Sequence, residues 1–216
     1  MSQVSQKSDH IPRATIERLS VYLEILANLK AEGTEVVSSE QIAAASKSNA
    51  SQIRKDLAYF GEFGVRGVGY YVKDLMQSIT SSLGIDREWR AVLVGIGNMG
   101  RALLNHKAIP ARGYRIVGAF DSDPAKIGSR IENIEICDIA KLPELVPELQ
   151  AEIGIIATPP DKAQAAAEYL IKAGLHGILN FASIRLTVPA DVYVEYVDFL
   201  HHLYALSFKI SLAKVR

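Results

Sequence analysis

Gly95-Ile96-Gly97-Asn98-Met99-Gly100 follows directly on an apolar run, residues 91–94, and leads straight into a helical pattern. A GxGxxG set between strand and helix narrows the local chain path: the strand ends in a tight turn and the helix starts close against it. Gly95 suits the turn, Gly97 lets a phosphate group approach the backbone, and Gly100 lets the helix pack on the strand. Free N–H groups at the helix start, those of Asn98 and Met99 among them, suit a pyrophosphate. Asp121 closes the next strand-like run about 20 residues on, where an acid meets the ribose of a dinucleotide. Its charge would repel a 2′-phosphate, so the expected cofactor is NAD, as NAD⁺ or NADH, rather than NADP. The alternative is a domain of the same type whose glycine turn holds nothing.

The surrounding pattern points to the same architecture. Residues 91–94, 116–120, 153–157, 178–181 and 192–194 read as strands, and 99–104, 142–149 and 162–173 as the helices between them. Strands alternating with helices imply a doubly wound parallel sheet covered on both faces, a Rossmann-type α/β domain expected over residues 88–196. Thr158 and Pro159 end a strand at the crevice where such sheets bind ligands, and are expected on the nicotinamide side.

Upstream the periodicity is helical. Ile16, Leu19, Leu23 and Leu26 mark a first helix that ends at Gly33; Ser38 and Gln41 have capping-box spacing ahead of a short second helix at 42–45. A third helix runs over about 50–60 with Ile53 and Leu57 inward, placing Gln52, Arg54, Lys55 and Asp56 on its other faces. Residues 61–72, with Gly61, Gly64, Gly67 and Gly69, read as a hairpin. Three short helices and a hairpin describe a winged helix-turn-helix over residues 11–78, with 1–10 a loose tail and 79–87 a connecting segment carrying helical spacing onward. In that arrangement the third helix enters the DNA major groove and the hairpin tip reaches the neighbouring backbone or minor groove. Arg54 and Lys55 are the groove-side candidates, Ser51 and Gln52 can reach bases or phosphates, and Arg66 marks the wing tip. The alternative is a small helical domain with solvated cations.

Several classes of function are disfavoured. The 24 basic and 24 acidic residues cancel, so any affinity for nucleic acid must come from local placement rather than net charge. The single cysteine, Cys137, forms no intrachain disulfide, and no zinc-binding spacing occurs, so no metal is expected. The absence of a signal-like start or a long apolar span leads to an expectation of a cytoplasmic protein with no membrane partner. His106, His176, His201 and His202 join no acid/base constellation, so no catalytic residue is expected. From Val197 on, Phe199, Leu200, Leu203, Tyr204, Leu206, Phe208, Ile210 and Leu212 surround a helix on nearly all sides. Such a helix needs cover from several neighbours, which suggests dimerisation through residues 197–216, although completion of its own core stays open.

Taken in order, IPRATIERL (11–19), SSEQI (38–42), RKDLAYFGEFG (54–64), RGVGY (66–70), VGIGNMGRAL (94–103), FDSDPAKIG (120–128), GILNFA (177–182) and VDF (197–199) resemble the Rex family of bacterial redox-sensing transcriptional repressors. The resemblance covers almost the whole chain. It implies a homodimer whose winged-helix domains bind double-stranded operator DNA with NAD⁺ and release it with NADH. It also implies that the C-terminal helix swaps between subunits, that Arg18 of one subunit pairs with Asp198 of the other, and that Phe199 lies against the nicotinamide. Asn180, within GILNFA, is expected beside the cofactor. Two positions depart from the family pattern: His106 stands where many relatives carry tyrosine, and Ser183 where they carry proline. Both fall near the expected nicotinamide pocket and put the sensitivity to NADH in doubt. Ser46 and Lys47 also depart from the usual turn. Two other readings remain: a small NAD-dependent dehydrogenase that uses its N-terminal helices only to dimerise, and a winged-helix protein whose second domain takes a CoA-like ligand.

Overall fold

The computed structural model describes residues 11–61, 64–65 and 67–214 and divides into two compact units, Met1–Arg87 and Glu88–Arg216. The expected tail at 1–10 and the wing-tip Arg66 lie outside the described residues.

In the first unit, α1 (Arg13–Ala31), α2 (Ser39–Ser46), α3 (Ala50–Ala58) and α4 (Val72–Ser82) enclose one core. Leu19, Tyr22 and Leu26 of α1 recur at three- and four-residue spacing and meet Ile42 of α2, Ile53 and Leu57 of α3, and Leu75 and Ile79 of α4. Burying each of these aliphatic side chains contributes on the order of 2 kcal/mol. Local chemistry sets the helix starts. Ser38 Oγ accepts from the Gln41 N–H at 3.2 Å while Gln41 Oε1 accepts from the Ser38 N–H at 2.8 Å, a complete capping box. Asn49 Oδ1 accepts from the Gln52 N–H at 2.8 Å and opens α3. The second helix therefore starts at its cap, earlier than its apolar residues suggest.

The wing differs from the simple hairpin expected. Its described part closes through one bridge, Val65 to Gly69, while β2 (Tyr70–Tyr71) pairs antiparallel with β1 (Val36–Val37). Val36 and Val37 were too short a pair to register as a strand. Nor does α4 act as a bare connector: Leu75 and Ile79 are wholly enclosed in the core of the first unit.

The second unit is a seven-stranded sheet with order β5-β6-β4-β3-β7-β8-β9, the strands being β3 (Trp89–Val94), β4 (Tyr114–Asp121), β5 (Arg130–Ile131), β6 (Ile134–Asp138), β7 (Ile153–Ile156), β8 (Gly177–Asn180) and β9 (Tyr193–Tyr196). All pairs are parallel except β5 with β6. The pair β5 and β6 was not anticipated; β5 is only two residues long and a turn at Glu132 separates it from β6. Alternate residues of β3 face opposite ways. Val92 and Val94 meet α7 (Leu142–Leu149) and α8 (Pro160–Lys172), whereas Ala91 and Leu93 face the side bearing α5 (Asn98–Leu104) and α6 (Ala108–Ala111). Those two short helices cover that side thinly, so Ile153, Leu179, Phe181 and Tyr193 line an open apolar hollow of about 710 Å³.

The chain ends in α9 (Phe199–Lys214). Its large apolar residues lie open: Phe199 is 64% exposed, Tyr204 65% and Phe208 65%. The helix does not complete a core within its own chain.

Candidate functional site

The order of the strands reverses at β3, where β4 lies on one side and β7 on the other, so the carboxyl ends of β3 and β7 open a crevice. The glycine motif occupies that point. Gly95 has φ +95°, and a side chain on it would run into Ala157 and Thr158 at the end of the neighbouring strand. A methyl on Gly100 would collide with the Gly95 carbonyl oxygen, so the close start of α5 requires glycine there too. Gly97 is the exception: a methyl there would meet nothing within 4 Å. The space over Gly97 is thus free of protein, and the first-turn N–H groups of α5, beginning at Asn98 and Met99, open beside it.

A cleft of about 710 Å³ extends from this turn, with Gly95, Gly97, Asp121, Thr158, Pro159 and Tyr169 among its walls. Thr158 Oγ1 is buried without a hydrogen-bond partner within the chain, an unspent polar atom at the wall of the cleft. Met99 is nearly half exposed. The donors, the open approach at Gly97 and the orphaned hydroxyl fit an anionic, ribose-bearing ligand.

Asp121 does more than await a ribose. Its Oδ2 accepts from the Ile96 N–H at 2.7 Å and from Lys126 Nζ at 3.0 Å, and its Oδ1 accepts from the Asp123 N–H at 2.9 Å. Burial pushes its pKa up, but these donors outweigh burial and hold it below the usual carboxylate range. The carboxylate thus clamps the glycine turn to the end of β4, and Lys126 offsets its charge. Rejection of a 2′-phosphate by bare negative charge, as the sequence suggested, is correspondingly weaker. Asn180 also departs from expectation. It is fully buried, donates from Nδ2 to the carbonyls of Ala182 and Ile184, each at 3.1 Å, and accepts the Ala182 N–H at 2.9 Å. Both of its N–H groups are spent on shaping the turn after β8, so it supports the crevice rather than presenting donors to it.

In the first unit the side chains of α3 are less free than their positions imply. Ser51 and Lys55 are exposed. Arg54 donates to Ser39 Oγ at 2.7 Å and to Glu40 Oε1 at 3.2 Å, which ties it to α2. Asp56, expected on an outer face, is wholly buried. It accepts from Arg18 through Nε and Nη2, both at 2.6 Å, from Tyr22 Oη at 2.8 Å, from Gln52 Nε2 at 2.9 Å and from Thr15 Oγ1 at 3.2 Å. Burial opposes its charge, yet these donors hold its pKa below the ordinary value. The same network raises the Arg18 guanidinium, chiefly through the Asp56 hydrogen bond, and burial with Asp56 beside it pushes Tyr22 up to about 12.

The sequence held a signal for this cluster. Ile53, Asp56 and Leu57 share the i, i+3, i+4 face of α3, and Thr15, Arg18, Leu19 and Tyr22 share one face of α1. Arg18, linked by resemblance to Asp198 of a second subunit, is within this chain the partner of Asp56. Asp198 itself accepts the Leu200 N–H at 2.9 Å at the start of α9.

A family model described as "CoA binding domain" matches residues 86–184, and one described as "Putative DNA-binding protein N-terminus" matches residues 10–58. The chain is 58% identical to the redox-sensing transcriptional repressor Rex of Solidesulfovibrio magneticus over 206 residues, 95% of this chain and 94% of that protein. Among solved structures, RSP in complex with β-NAD⁺ and operator DNA superposes with a TM-score of 0.89 at 33% identity, over 95% of this chain and 94% of that one. RSP in complex with β-NADH gives a TM-score of 0.86 at 32% identity, over 95% and 97% of the two chains.

Proposed function

The chain belongs to the Rex family of redox-sensing transcriptional repressors, and from that premise we infer that it binds operator DNA through its first unit and reports the NADH/NAD⁺ balance through its second. It is a regulator and not an enzyme, which removes the dehydrogenase reading. The observation that carries the assignment is the pairing, in one chain, of a winged helix with a glycine turn kept open at Gly97, in the order and geometry of a repressor seen with both β-NAD⁺ and operator DNA. The match to a CoA-binding family model reflects the same nucleotide-binding sheet, and the likeness to a chain that holds β-NAD⁺ and β-NADH favours NAD over a CoA-like ligand.

In this reading the N–H groups at the start of α5, with Gly95, Gly97 and Gly100 shaping the turn, hold the pyrophosphate. Asp121 fixes the turn and has a remaining lone pair for a ribose hydroxyl, while Thr158 and Pro159 border the nicotinamide side together with Phe199. The dinucleotide supplies the redox-dependent charge of its nicotinamide ring; the protein supplies the fit and the mechanical response. Ser51, Gln52, Arg54 and Lys55 face the operator, with Arg66 at the wing. Arg54 contributes to DNA only after exchanging Glu40 for phosphate or base.

A helix-turn-helix reads paired half-sites as a dimer, and a second copy of the chain is the simplest cover for α9. An intersubunit pair of Arg18 with Asp198 would use the N–H groups of Nη1, since Nε and Nη2 donate to Asp56 and Thr15. No described helix is long and apolar enough to cross a membrane. A regulator of chromosomal operators works in the bacterial cytoplasm.

Fluorescence anisotropy of a labelled operator, with NAD⁺ constant, NADH titrated and salt fixed, tests the assignment. Release of DNA by NADH well below the NAD⁺ concentration is the expected result. Binding indifferent to NADH would refute the sensor and direct attention to His106 and Ser183.

A further inference from the structure

Gln52 is the third residue of α3, and its side-chain amide lies 2.9 Å from Asp56 Oδ1. An ionised carboxylate only accepts hydrogen bonds, so the amide atom facing it is the nitrogen, and the carbonyl Oε1 is turned away. A free glutamine presents either end of its amide with equal ease. Here one end is selected, and the selecting group cannot swing: Asp56 is enclosed and gripped by Arg18, Tyr22 and Thr15 of α1.

With one N–H spent on Asp56, the amide keeps one acceptor and one donor. Gln52 is half-buried in the first turn of α3, and residues at that end of a recognition helix meet base edges. An acceptor beside a donor complements adenine, whose major-groove edge offers the N6 amino donor next to the N7 acceptor. The N4 amino group of cytosine satisfies the acceptor alone. Guanine presents two acceptors, O6 and N7, and meets Oε1 with repulsion.

We propose that Gln52 reads a base bearing an exocyclic amino group, adenine first, in each operator half-site, and that Asp56 is the positioning residue that fixes the orientation of its amide. This rests on the DNA-binding reading above and adds to it a specific reader and the chemistry it selects. Arg54 and Lys55 contribute cations, whereas Gln52 contributes a fixed donor–acceptor pattern.

The test is selection of bound sites by the full-length protein from a double-stranded DNA pool with randomised half-sites, using wild type, Gln52→Ala, Asp56→Asn and Tyr22→Phe. NADH affinity and thermal midpoint are measured for each to verify folding. Wild type should recover a motif. Gln52→Ala should lose the base preference at one position per half-site, keep the others, and bind the wild-type motif about 5- to 150-fold more weakly. Asp56→Asn should relax that same position, because asparagine can donate as well as accept and lets the Gln52 amide turn. Tyr22→Phe removes a hydrogen bond to Asp56 without touching Gln52 and should leave the motif intact.

An unchanged motif with Gln52→Ala overturns the proposal, and an unchanged motif with Asp56→Asn removes the orienting role. Equal relaxation by Tyr22→Phe and Asp56→Asn would make the network structural only. A wild-type protein that recovers no motif withdraws the DNA reading itself, which the other outcomes leave standing.

Discussion

Each unit is organised around one buried aspartate, and the two are held in opposite ways. Asp121 takes two of its three hydrogen bonds from backbone N–H groups, those of Ile96 and Asp123, with Lys126 added. Asp56 takes all of its hydrogen bonds from side chains, four of them on two helices. Backbone donors are present whatever the residue, so the clamp at the glycine turn depends mostly on the chain path. Side-chain donors can be withdrawn singly, so the grip on α3 is open to adjustment. A cofactor cradle gains from the first kind of support, and a helix whose angle matters to DNA from the second.

The sharpest contrast should come from Arg18→Met. It leaves a carboxylate enclosed with its only cation gone, a change that costs on the order of 3–5 kcal/mol. Chemical denaturation should show the first unit melting early while NADH binding by the second is retained. Loss of both together would erase the distinction between the units. Asp121→Asn, next in size, keeps the shape but weakens the clamp by about 1–3 kcal/mol. It should lower NADH affinity and leave operator binding by the apo protein near the wild-type level.

The pH profile offers a subtler division. Both aspartates have depressed pKa values, so each stabilises its unit above the ordinary carboxylate range and loses that contribution as pH falls through the folded value. Tyr22 behaves in reverse. Its pKa rises from 10.0 to about 12, so its contribution is complete below pH 10 and is lost as pH climbs toward 12. Melting curves should therefore show the first unit weakening at both extremes, and Tyr22→Phe should shrink the alkaline limb to the part left by Tyr70, whose pKa burial also raises. An alkaline limb undiminished in Tyr22→Phe would assign it elsewhere. The smallest effect is expected of Lys126→Met, at most about 1 kcal/mol in stability, since two backbone donors remain. It exposes the full charge of Asp121, and the ratio of NADPH to NADH affinity, measured by cofactor fluorescence, should fall.

What the sequence disclosed follows the range of the forces involved. The glycine turn and the capping box at Ser38 are local, their chemistry complete within a few residues, and both were legible. The alternation of strands with helices was legible for the same reason, and it placed the sheet. Asp56 was misplaced although it shares the inward face of α3 with Ile53 and Leu57, because three of its four partners sit some 34 to 41 residues away on α1 and only they make a buried charge tolerable there. Asn180 was assigned to the cofactor from a matching motif, whereas its amide is spent on Ala182 and Ile184 in the turn it opens, local bonds that a motif position does not reveal. Arg54 was read as free because its tether to Glu40 arises from the packing of α2 against α3.

The bare apolar surface of α9 sets a condition on everything above. A helix with Phe199, Tyr204 and Phe208 open to water keeps its place only as far as something else covers it, so its free energy belongs to an equilibrium between molecules. With a second copy as the cover, the thermal midpoint climbs with the logarithm of protein concentration, and dilution becomes a denaturant. The number of copies in a cell then enters the switching threshold alongside the cofactor ratio.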